Sequence, residues 1–126
     1  MSRLVAIGLG GAAGSILRYL VIAGTARLLR ASFPYGTLVV NVTGSVAVGL
    51  ILGWASGRGG MSEVLRGFVV IGFLGGFTTF SAFSAETVGL VENGSPGLAL
   101  LYAVLSVTLA TLAAGVGLVL GRALPS

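Results

Sequence analysis

The chain has no cysteine, no histidine and no lysine among its 126 residues. Without cysteine it cannot form a disulfide, a thiolate metal site or a thiol nucleophile. Without histidine it also loses the common zinc ligand and the common acid/base catalyst at neutral pH. Charge is scarce: seven arginines and three glutamates make up 8% of the residues, against roughly 25% in ordinary globular chains. A soluble fold of this size leaves about a third of its unfolded surface in water, and there is too little charge here to cover it. These shortages exclude a water-soluble enzyme. The isoelectric point near 10.8 reflects scattered arginines rather than a basic face, so no nucleic-acid partner is expected. What remains is apolar: 56% of the residues are hydrophobic and the mean hydropathy is +1.09. The composition is that of an integral membrane protein, an all-α domain over residues 1–126 whose partner is the lipid bilayer.

Crossing a bilayer core takes about 20 apolar residues in a helix. Four stretches meet that requirement: Leu4–Leu29, Gly36–Ala55, Arg66–Val91 and Gly97–Gly121. The links Arg30–Tyr35, Ser56–Leu65 and Glu92–Pro96 are too short to fold alone. The first stretch is too long for the apolar core of a secretory signal, and no polar domain follows it. Four spans place both termini on one side of the membrane. Arg3, Arg58, Arg66 and Arg122 lie on that side, and Arg27 and Arg30 on the other, joined by Arg18 if its side chain snorkels. So even a split gives little orientation bias. Either a weak preference decides, or the chain inserts both ways and pairs with its inverted copy; charge counting leaves both open.

A polar side chain in lipid needs a partner or water, so polar positions mark an interface or a pathway. Thr37, Asn41 and Ser45 recur every four residues and share one face of the second span. Asn41 is either an interhelical hydrogen-bonding group or, with a donor to spare, part of a pathway. The third span carries Gly72-Phe-Leu-Gly-Gly-Phe-Thr-Thr-Phe-Ser-Ala-Phe-Ser84 at its centre. Paired glycines followed by paired threonines are poor helix formers, and a break there would free carbonyl oxygens of the kind that hold hard cations in broken-helix membrane proteins. The midpoint of Arg66–Val91 falls at Thr78 and Thr79. Only a site at mid-depth can be shared by two inverted copies. Phe80 and Phe83 share a face, and the positive ring edge of phenylalanine suits an anion without binding it too tightly to leave. Tyr102 and Ser106 lie one turn apart on the fourth span, with Thr108 and Thr111 beyond. Gly10, Gly11 and Gly14 permit close approach of the first span to a partner, and Gly49 and Gly53 form a small-xxx-small packing pair. Glu86 either faces a vestibule, pairs with an arginine or sits among headgroups.

The run Gly11–Tyr19, the run Tyr35–Ser45 with its GTLxVNxxG string, and Gly72–Ser84 with GGFTTFSxFS resemble the Fluc/CrcB family of fluoride channels. The resemblance covers all four spans in order. It implies four transmembrane helices with the third broken near the midplane, and an antiparallel, dual-topology homodimer in the bacterial plasma (inner) membrane. It implies passive export of cytoplasmic fluoride through two pores per dimer. Asn41 would donate to fluoride, Phe80 and Phe83 would offer ring edges, and Thr79, Tyr102 and Ser106 would extend the polar track. The carbonyls of Gly75 and Thr78 from both subunits would hold a central structural sodium ion, and no organic cofactor is implied. Glu86 would stand near a pore mouth, with Arg18 also in a vestibule. One position departs from the pattern: one turn beyond Ser106 the chain has Ala110, with Thr108 or Thr111 as substitutes. The competing expectation is a small dual-topology, proton-coupled multidrug-type exporter. That mechanism needs an embedded carboxylate, and Glu86 is off-centre. A scaffold that passes no ion is the third.

Overall fold

The structure, a computed structural model, describes residues 1–125 and is helical throughout. Helix α1 (Arg3–Leu29) starts where Ser2 accepts the Val5 N–H and stops at Arg30, whose φ of 45° is left-handed. Helix α2 (Tyr35–Ser56) begins after Pro34, and α6 (Pro96–Ala123) carries a proline in its first turn, where the missing N–H costs nothing.

Between them lies a composite third span, Glu63–Glu92. It opens with the single turn α3 (Glu63–Arg66), where Ser62 caps the Leu65 N–H and Glu63 sits in the first turn. An eight-residue π-helical stretch follows, Gly67–Leu74, then α4 (Gly75–Phe77) and α5 (Phe80–Glu92). Thr78 (φ −87°, ψ 157°) and Thr79 (φ −152°, ψ 119°), between α4 and α5, are extended. The span thus starts at Glu63 rather than Arg66, and the link from Ser56 is shorter than expected. A polar cap and an acidic first turn lie outside what hydropathy detects. Four helices are long and apolar enough to cross a membrane, and the protein is a multi-pass membrane protein.

Two seams hold these spans. A Cβ on Gly10 or Gly14 would overlap the Phe68 or Phe73 carbonyl, and one on Gly72 or Gly76 would overlap the backbone of α1. The glycines of α1 therefore pack against the third span. In the same way Gly49 and Gly53 of α2 meet the backbone of α6 at Ala114 and Leu118, and Gly117 and Gly121 answer at Val46 and Leu50. Helices in lipid gain little from burying apolar surface against each other, so dispersion across such close backbone contacts carries the association. The chain is two zipped helix pairs, with the polar residues gathered between them.

Candidate functional site

A cavity of about 460 Å³ opens between α2, the third span and α6. Asn41, Gly75, Thr78, Thr79, Phe80, Phe83 and Ser106 line it, and among the described residues no charged one does. Extended backbone at Thr78 and Thr79 would orphan peptide groups in an apolar setting, and α2 supplies the remedy. Asn41 Oδ1 accepts the Thr79 N–H at 2.8 Å, while its Nδ2 donates to the Thr79 carbonyl at 3.0 Å. Only one orientation of the amide satisfies both contacts. Asn41 is therefore an interhelical hydrogen-bonding group, and because an amide carries two N–H groups, one of them is uncommitted among the described residues.

Thr79 also caps α5, its Oγ1 accepting the Ala82 N–H at 3.2 Å. Thr78 donates from both its N–H (3.0 Å) and its Oγ1 (2.9 Å) to the Leu74 carbonyl. No donor reaches the Thr78 carbonyl among the described residues. The Thr79 N–H, which would serve the Gly75 carbonyl in an unbroken helix, is spent on Asn41. Two carbonyls of the expected set are thus left without their helical partners.

Ser106 is 7% exposed, lines the cavity, and its Oγ is without a hydrogen-bond partner among the described residues. Such orphans are rare and point to a ligand or water. Phe80 is 77% exposed on the single chain, its ring 5.4 Å from that of Phe83. On α6 the lining arc also takes in Ala110 and Thr111, but not Thr108. At 100° per residue, Thr108 falls past the edge of that arc, so the hydroxyl at the far end of the cavity is Thr111.

Tyr102 departs from the expected open track. It is fully buried, does not line the cavity, and packs its ring 5.2 Å from Phe83 and 5.4 Å from Phe33. Its hydroxyl donates to Glu86 Oε2 at 2.8 Å, and Thr37 donates to Oε1 at 2.7 Å. Glu86 is half-buried at a second, smaller cavity of about 130 Å³, under the Ala31–Tyr35 turn. Its partners are hydroxyls and not an arginine; among the described residues the one ion pair is Arg3–Glu63 at 2.6 Å. Arg18 is half-buried on α1 and lines neither cavity. Thr37 was legible only as a neighbour of Asn41 on one helix face; nothing in the sequence tied it to Glu86.

Residues 5–118 match the family described as CrcB-like protein, Camphor Resistance (CrcB). A protein of Rhizobium meliloti (strain 1021) named "Fluoride-specific ion channel FluC" is 47% identical over 126 residues, which covers 98% of this chain and 99% of that one. One of Agrobacterium fabrum (strain C58 / ATCC 33970) with the same name is 44% identical, covering 97% and 98%. "Fluoride-specific ion channel FluC 2" of Nitrobacter hamburgensis (strain DSM 10229 / NCIMB 13809 / X14) is 48% identical, covering 90% and 91%.

Proposed function

The chain belongs to the CrcB-like family, and from that membership and the cavity between its helix pairs we propose that it is a passive, fluoride-selective anion channel. The observation that carries this reading is the chemistry of the cavity wall. It offers the spare N–H of Asn41, the orphan hydroxyl of Ser106 and the rings of Phe80 and Phe83, and no fixed charge. Donors and ring edges stabilise a small anion at mid-depth; the absence of a cationic side chain from the wall keeps binding weak enough for the ion to leave. Thr79 lies along the same wall, and Tyr102, buried behind Phe83, links it to Glu86 and the smaller cavity. Glu86, at the smaller cavity, and Arg18 would stand toward the mouths.

The channel works as an antiparallel, dual-topology homodimer in the bacterial plasma membrane, with two pores. The outward exposure of Phe80 and Gly75 on the single chain supports a site completed by a second copy. Where two inverted chains meet at mid-depth, the carbonyls of Gly75 and Thr78 from each would hold a structural sodium ion. Their loss of helical donors fits that use, since hard cations take uncharged oxygen ligands. Bound there, sodium supplies a positive charge between the two pathways.

Fluoride that enters a cell as neutral HF ionises and is trapped. An open anion pathway lets a negative-inside potential expel it, at about 2.3 kcal/mol per charge for 100 mV, with no nucleotide or proton coupling. No observation favours the multidrug-type exporter: the carboxylate it would need is Glu86, whose oxygens already accept from Thr37 and Tyr102. The test is efflux from liposomes carrying the purified protein. Fluoride should leave rapidly without nucleotide or pH gradient while chloride is retained, and Phe80→Ile or Asn41→Asp should slow it. Equal fluoride and chloride rates, or no flux, would overturn the proposal. Cysteine labelling of one terminus from both faces of intact cells tests dual insertion; one-sided labelling counts against it.

A further inference from the structure

We propose that Asn41 is a positioning residue for the cation site: by taking the Thr79 N–H it withholds from Gly75 the donor that would close the helix. This rests on the cation reading given above. The side-chain amide presents one acceptor and one donor to a single residue, 2.8 Å from the Thr79 N–H and 3.0 Å from its carbonyl. A neighbouring peptide group would offer the same pair, so the amide stands in for the missing helical turn.

The alternative arrangement is a closed α-helix. It would return the Thr79 N–H to Gly75 but leave the Asn41 amide unpaired among apolar groups, which is costly. Neighbouring contacts bias the choice the same way. Gly44, nearly one turn along α2, makes room for the Thr78 methyl, which a Cβ at that position would overlap. Both donors of Thr78 are committed to Leu74, while the Thr79 hydroxyl accepts from Ala82 and lies 3.3 Å from the Ser81 hydroxyl. Of the backbone groups of Thr78 and Thr79, the Thr78 carbonyl is the one left without a partner among the described residues. The second N–H of Asn41 is the one read above as an anion contact, so a single amide serves both ions.

Thermal unfolding of the purified full chain in detergent, titrated with sodium chloride against N-methyl-D-glucamine chloride, tests this. The parent protein should show a saturable, sodium-specific rise in Tm. Asn41→Leu keeps the bulk but has no acceptor, and its half-saturating sodium concentration should rise about tenfold, the worth of one net hydrogen bond. Asn41→Ser is too short to bridge the gap and should repeat that loss without adding bulk. Asn41→Asp retains an oxygen for the Thr79 N–H in either protonation state. Its half-saturation should stay within about threefold of the parent's, even as fluoride efflux falls for want of the second donor. Leucine and serine variants that respond to sodium at the parent's concentrations would overturn the proposal and leave the cation reading standing. A parent with no sodium-specific response would remove both.

Discussion

Two polar clusters lie within one packing layer of each other and are built on opposite terms. Around Glu86 every side-chain oxygen is committed: Thr37 and Tyr102 donate to the two carboxylate oxygens, and the tyrosine ring is sealed between Phe33 and Phe83. Around Ser106 and Thr78 the commitments stop short. The serine hydroxyl has no partner and the Thr78 carbonyl has no donor among the described residues, while Asn41 keeps one N–H in hand. A closed network in an apolar setting gives stability and fixed geometry; an incomplete one gives up stability and keeps capacity for a ligand. The difference separates a tie between helices from a place where ions stop.

Substitutions can break that contrast or sharpen it. The largest effect is expected at Glu86. Glu86→Ala strands two buried hydroxyls at once and should cost about 3 kcal/mol, counting two interhelical hydrogen bonds and the unpaired groups left behind. Thermal unfolding in detergent measures it. Tyr102→Phe removes one donor and should cost about 1.5 kcal/mol by the same measurement. Thr37→Val, a near-isosteric change, should cost about 1 kcal/mol. Ser106→Ala sits at the other extreme, because its hydroxyl makes no bond to lose: the melting point should move by less than the equivalent of about 0.5 kcal/mol, while fluoride efflux slows. Equal losses of stability at Tyr102 and Ser106 would erase the distinction between the clusters.

Much of this was legible in the sequence because lipid enforces simple rules. The spans follow from apolar length, and the glycines of α1 and α2 from the need for close approach. The start of the third span was placed late, since Ser62 and Glu63 build a helix end from residues that hydropathy scores as loop. The π-helical stretch Gly67–Leu74 could not be read from its residues, which suit an α-helix as well; it arises where glycines let that stretch fit against α1. Asn41 illustrates the middle ground. Its donor count suggested more than one role, but only the geometry places its amide on both groups of Thr79. Thr108 and Thr111 were indistinguishable by composition, and angular position on α6 separates them.

The paired glycine seams carry a mechanical consequence. Each pair, α1 with the third span and α2 with α6, is locked backbone to backbone and should travel as a stiff unit. The cavity wall is divided between the two units. Any breathing that widens the passage must therefore come from one unit rocking against the other. The Asn41–Thr79 contact and the Glu86 bonds to Thr37 and Tyr102 cross that divide, and they would act as latches between the units.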